Sequence, residues 1–281
     1  MKKILAMTMA LAMSLSLVAC GGNGATSSAG SASSQGAASS QGAASSQASS
    51  ATAGELTTVE EGKLIMSTNA AFPPYEMTDD TGAVVGIDAE IAGAIAEKLG
   101  LELVIDDMDF DAAQLAVQQG KSDICMAGLS ITEDRLLVMD FSDSYATGVQ
   151  VVITTEGSDV TLDNLGEKMI GTQRATTGNI YCTDEYGEEH VVSYDDGIVA
   201  VQDLMNGKVD CVVIDQAPAQ EFVAANPGLV ILDTPWVEEE YSIGVAKGNT
   251  AMLDAVNSAL AELTSEGTLQ SIIEKYIPTE G

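Results

Sequence analysis

Two stretches decide the fold, "AAQLAVQQGKSDICMAG" at residues 112–128 and "GIVAVQDLMNGKVDCVVID" at 197–215. Each places apolar residues at helical spacing, then a glycine that stops the helix, a lysine, one further residue, an aspartate and a short apolar run. The closing runs are too short for helices and read as buried strands. The same grammar extends outward. "KLIMST" (63–68), "DAEIAGAIAEKLG" (88–100) and "LELVID" (101–106) give strand, helix and strand before the first stretch. "EKMIGTQ" (167–173), "TTGNIYCTDEYG" (176–187) and "HVVSY" (190–194) repeat that order before the second. "QAPAQEFVAANPG" (216–228) then reads as a helix, "EYSIGVAKG" (240–248) as a strand, and 250–265 and 267–276 as helices. Such alternation predicts an α/β fold with a largely parallel sheet. The repeated pattern is consistent with two similar lobes. If the last elements return to the first lobe, the chain crosses between lobes twice and the cleft becomes the default ligand site.

The N-terminus reads differently. Lys2-Lys3 precede an apolar run from Ile4 to Val18, and Leu17-Val18-Ala19-Cys20 stands before Gly21-Gly22. This is the pattern of a secretory leader, and its end resembles a bacterial lipobox. Residues 1–19 are therefore expected to be a signal peptide, with Cys20 lipidated as the first mature residue. Acyl chains contribute about 0.8 kcal/mol per buried methylene and would hold the protein at a membrane face. Residues 20–54, rich in Ser, Ala, Gly and Gln with "SSQGAA" at 33–38 and 39–44, form an expected tether. The rest divides into lobe 1 (55–149), lobe 2 (150–240) and a return to lobe 1 (241–281). No later run approaches the 18 apolar residues of a spanning helix.

Charge narrows the partners. With 11 Lys+Arg against 42 Asp+Glu the formal net charge is −31, and no basic patch exists for nucleic acid. Cys125, Cys182 and Cys211 show no metal-site spacing and His190 is the single histidine, so neither a metal nor a cofactor is expected. Cys125 and Cys211 lie in apolar runs and read as small core residues.

Against that acidity the two arginines stand out. Arg135 closes "AGLSITEDR" (127–135), where Ser130 and Thr132 sit at an expected helix start and Ser130 with Glu133 fits a capping box. A guanidinium offers a planar fork for a carboxylate, and a helix start favours an anion. The competing reading is a surface pair with Glu133, Asp134 or Asp140. Asp215, ending "CVVID", can equally be an N-cap, and so can Thr176 and Thr177 in "RATTG" (174–178).

"NAAFPPYEMTDDTGAVVGIDAEIAGAIAEKLG", "DFDAAQLAVQQGKSDICMAGLSITEDRLLVMDFSDSYA" and "GKVDCVVID" together resemble the amino-acid-binding proteins of ABC importers, solute-binding protein family 3. The resemblance covers nearly all of 62–278. It implies a two-lobed type II periplasmic-binding-protein fold whose crossing hinge strands lie near Gly148–Val152 and Glu239–Ile243. It implies a site for a free α-amino acid. Arg135 would take the carboxylate with Thr177, beside Thr176. Asp215, the Ser130 hydroxyl and the Gly128 carbonyl would take the ammonium. Phe72 and Phe110 would wall the side chain, though both can be core residues. Asn69 stands where relatives that bind cationic amino acids often place Asp, a departure that weakens a lysine or arginine reading, and Gln173 and Arg174 are further candidates. An inward Arg174 would disfavour a cation, so a polar, uncharged amino acid is favoured, with basic and acidic ones open.

The implied partners are the amino acid, an ABC permease with its ATPase, and the membrane through the lipid anchor alone. The place of action would be extracytoplasmic. A sensor or partner-presenting protein, or a dehydratase-type enzyme on the same fold, are the alternatives.

Overall fold

The computed structural model describes residues 56–232 and 236–277, so the expected leader, Cys20 and tether lie outside the described residues. The chain begins with β1 (Lys63–Thr68), followed by a small antiparallel sheet of β2 (Ala71–Phe72), β3 (Glu76–Thr78) and β4 (Val84–Val85). Then come α1 (Ile87–Leu99), β5 (Glu102–Asp107), α2 (Phe110–Gln118), β6 (Ile124–Cys125) and the short α3 (Glu133–Val138). The long strand β7 (Met139–Thr155) leads into β8 (Ile170–Gln173), α4 (Thr177–Tyr186), β9 (Val191–Tyr194) and α5 (Gly197–Met205). The remainder is β10 (Cys211–Asp215), α6 (Gln216–Ala225), β11 (Leu229–Ile231), β12 (Val237–Ala246), α7 (Thr250–Ser265) and α8 (Thr268–Tyr276).

The main strands form one sheet in the order β5-β1-β6-β12-β7-β10-β8-β9, with β11 paired to β7. Its two ends are parallel, β1 with β5 and β6, and β8 with β9 and β10. Its middle is antiparallel, because β7 and β12 carry the chain across in opposite directions. This is the two-lobed α/β fold with crossing hinge strands. The handover occurs at Gln150, which pairs with Val237 of β12 and with Asp215 of β10. One residue of β7 thereby fixes the register of both neighbours.

Sequence and packing agree on the helices. In α1 the residues Ile87, Ile91 and Ile95 recur on one face and are fully buried, and the helix ends on Gly100 in a left-handed turn at φ 68°. α1 packs against α7 and α8, so the C-terminal helices return to the first half of the sheet. Each fully buried isoleucine contributes roughly 1.5–3 kcal/mol relative to exposure. Cys125, Cys182 and Cys211 are buried and unbridged. β6 is shorter than the apolar run that closes the first stretch, because the chain leaves the sheet after Cys125 and Ser130 instead bridges to Tyr241.

Gly148 marks the tightest point of the hinge. A Cβ built there would overlap the hydroxyl of Tyr241 and lie 2.7 Å from Asp215 Oδ1. Gly148→Ala is expected to lower unfolding free energy by about 1–3 kcal/mol, the usual range for overpacking. Urea denaturation checks this, and an unchanged midpoint would contradict the packing.

Candidate functional site

Residues from both halves of the sheet surround one cavity of about 320 Å³ of empty space, part of it open to solvent. Every residue expected from the sequence to contact the ligand lines it except Arg174.

The first half contributes the loop after β6. Gly128 there has φ 53°, and a Cβ would sit 2.7 Å from Phe72 Cε1, so only glycine lets the loop approach the aromatic wall. Its N–H donates to Asp88 Oδ2 at 3.0 Å. The cap of α3 is Thr132, whose Oγ1 accepts from Arg135 N at 3.2 Å, and not Ser130. The expected Ser130–Glu133 capping box is thus corrected. The Ser130 hydroxyl is drawn instead to Glu239 Oε2, 3.1 Å away on β12.

Arg135 is 7% exposed. Its Nη1 donates to the Ser130 carbonyl at 2.7 Å, and its Nη2 to the Ala175 carbonyl at 2.9 Å across the cavity. The guanidinium lies 5.4 Å from the centre of the Phe110 ring. None of Glu133, Asp134 or Asp140 pairs with it, and Asp140 is bound to Lys247 at 2.7 Å. Among the described residues this buried cation has no carboxylate partner, a state that favours capture of an anion.

The second half contributes α4 and Asp215. Thr176 caps α4, its Oγ1 accepting from Asn179 N at 3.2 Å. Thr177 follows, and first-turn N–H groups of a helix have no partner within it. Asp215 occupies the cap position of α6, but its side chain makes no capping bond. It accepts from Gln150 Nε2 at 2.8 Å and from the Tyr241 hydroxyl. Burial pushes its carboxyl up to about 7, with the charge of Glu239 adding and the Tyr241 and Gln150 bonds opposing.

Asn69 and Gln173 close the far end. Gln173 Nε2 donates to Asn69 Oδ1 at 2.8 Å, and Asn69 Nδ2 donates to Met108 O at 3.1 Å and Asp196 Oδ1 at 3.2 Å. Phe72 and Phe110 face the cavity while also belonging to the apolar core. Arg174 is corrected: its side chain is 42% exposed and is held outside by Asp111 (3.1 Å), Asp109 (3.7 Å) and Asp195. A cluster of aspartates at the cleft edge draws the cation away from the cavity.

Two acids had escaped the sequence reading. Glu239 lies buried between exposed Glu238 and Glu240, and that period-two alternation in a strand was the available signal. Glu76 lines the cavity, whereas Glu239 stands behind Ser130 and Thr177, and neither carboxyl oxygen of Glu76 is hydrogen-bonded among the described residues. Burial and neighbouring Asp88 raise its pKa, while burial brings Asp88 to about 6. No signal in "PPYEM" marks Glu76 as buried.

The model of the bacterial extracellular solute-binding proteins, family 3, matches residues 64–279. The chain belongs to that family. An L-cystine-binding protein of Escherichia coli, TcyJ, is 29% identical over 231 residues, covering 80% of this chain and 87% of the relative. An ABC transporter arginine-binding protein 1, also of Escherichia coli, is 30% identical over 221 residues, 77% of this chain and 91% of the relative. Among solved structures, an ancestral arginine-binding protein bound to glutamine is 37% identical with a TM-score of 0.74. It covers 78% of this chain and 100% of its own. Family membership makes the protein an extracytoplasmic solute-binding protein.

The raised pKa of Asp215 has a consequence for stability. The unfolded carboxyl titrates near 3.8 and the folded one near 7, so the folded state holds an extra proton between those values. Raising pH through that window removes stability. Asp215→Asn can keep its carbonyl toward Gln150 Nε2, which also serves Glu239, while its new amide donates to the Tyr241 hydroxyl oxygen. The variant is expected to melt above wild type at pH 8, with the gap closing as pH falls toward 4. Thermal denaturation across that range checks it, and a pH-independent gap would contradict it.

Proposed function

We propose that this protein captures a free α-amino acid between the two halves of its sheet and hands it to an ABC permease driven by an ATPase. One observation carries the reading. Arg135 and Asp215 line the same cavity, buried, with no ion pair between them among the described residues. A ligand bearing both a carboxylate and an ammonium group satisfies both at once. The guanidinium fork suits bidentate contact with the carboxylate, and Asp215 suits the ammonium. Because the two come from opposite halves, the ligand favours the closed form by its differential affinity for it. This is capture without chemistry.

At the side-chain end, the Phe72 and Phe110 walls suit an aliphatic stem and the Asn69–Gln173 amides suit a polar tip. With Arg174 turned outward, no second cation beside Arg135 lines the cavity among the described residues, so none stands at the Asn69–Gln173 end to oppose a basic tip. A polar or basic amino acid is the class these groups favour, and the cystine and arginine named for the relatives fall in it. Cys20, as a lipidated first residue with residues 21–54 as a tether, would hold the site at the membrane face.

A thermal-shift screen against the common amino acids tests the reading. A ligand at 100 times its Kd adds about 2.7 kcal/mol, so a polar or basic amino acid is expected to raise the melting temperature by roughly 5–10 °C. Arg135→Ala is expected to lose that shift while remaining folded. No shift with any amino acid, or a shift retained by Arg135→Ala, would overturn the proposal.

A further inference from the structure

Glu239 is a buried carboxylate at the hinge that the amino-acid reading leaves without a task. Its Oε2 accepts from Thr177 Oγ1 at 2.8 Å, Ser130 Oγ at 3.1 Å and Gln150 Nε2 at 3.1 Å, and its Oε1 accepts from the Tyr181 hydroxyl at 2.9 Å. These donors come from the loop before α3, from α4 and from the crossing strand β7. One side chain on β12 therefore joins both halves and the hinge.

The consequence lies in the protons. A hydroxyl owns a single proton, and its remaining capacity is to accept. Ser130 and Thr177 both spend theirs on Glu239, yet both line the cavity. Toward a ligand, each of these oxygens can only accept. Acceptors do not bind a carboxylate; they bind N–H groups. The side chain of Thr177 therefore cannot serve the carboxylate, which falls to Arg135 and to the first-turn N–H groups of α4.

We propose that Glu239 is a positioning residue for the ligand's ammonium group. By fixing the Ser130 and Thr177 hydroxyls as acceptors, it completes with Asp215 a seat of three acceptors for the three N–H bonds of an α-ammonium. This rests on the amino-acid reading of the site, and it assigns polarity to groups that reading leaves open.

The test uses Glu239→Ala and Glu239→Gln. The glutamine carbonyl can still take the two hydroxyl protons, while its amide donates to Tyr181. Calorimetry with L-arginine and L-glutamine, each compared with its deaminated counterpart, reads the effect. Loss of a hydrogen-bonded charged partner corresponds to about 10–100-fold, so Glu239→Ala is expected to weaken amino-acid binding by that factor. In the same variant the preference for the amino acid over its deaminated counterpart is expected to fall. Glu239→Gln is expected to recover most of both losses. Equal losses in the two variants, or an unchanged preference in Glu239→Ala, overturn the proposal.

A ligand-free measurement separates the two readings. Proton NMR of the empty protein is expected to show a slowly exchanging Thr177 hydroxyl, assigned by its loss in Thr177→Val. It should persist in Glu239→Gln and vanish in Glu239→Ala. Its absence from wild type, or its persistence in Glu239→Ala, overturns the role of Glu239. A wild type that shows this resonance but binds no amino acid overturns the reading of the site instead.

Discussion

A guanidinium held out of water with only carbonyls to receive its hydrogen bonds is costly for an isolated protein, and among the described residues Arg135 is in that position. Across the cavity Asp215 has the converse problem, a carboxyl so desolvated that it holds its proton to about pH 7. Neither charge relieves the other. The surrounding structure keeps both in place and keeps them apart, and an external zwitterion is the chemistry that relieves both.

The sheet supplies the geometry. β7 pairs with β12 along one stretch and with β10 along the next, and Gln150 stands at the change. The side chain of Gln150 reaches Asp215 and Glu239 together, so the acids of the site are referenced to the strand that joins the halves. Gly148, two residues earlier, leaves room for Tyr241 to reach Asp215. Asp215 and Glu239 are consequently set by the register of the crossing strands, while Arg135, Ser130 and Thr177 are carried by α3, the loop before it and α4.

Much of this was legible in the sequence, because periodicity and turn residues report local structure directly. The helix–Gly–Lys–x–Asp–strand repeat located α2 with β6 and α5 with β10, and the end of "CVVID" placed Asp215 at a strand terminus. What local pattern could not show was competition between distant groups. The box at Ser130 was chemically sound, but Glu239, more than a hundred residues away, takes that hydroxyl and leaves the cap to Thr132. Arg174 was a rare cation beside the site, and only the fold gathers Asp109, Asp111 and Asp195 to hold it outside. Glu76 likewise became a cavity residue through burial by elements far from it in sequence.

In the proposed function one cavity reads both charges of an amino acid, the carboxylate through Arg135 and the ammonium through Asp215. A crystal structure of the protein with a bound amino acid tests it most directly. The α-carboxylate is expected on the Arg135 guanidinium and the α-ammonium against Asp215, with the side chain running toward Asn69 and Gln173. A ligand bound in the reverse sense, or outside this cavity, would contradict it.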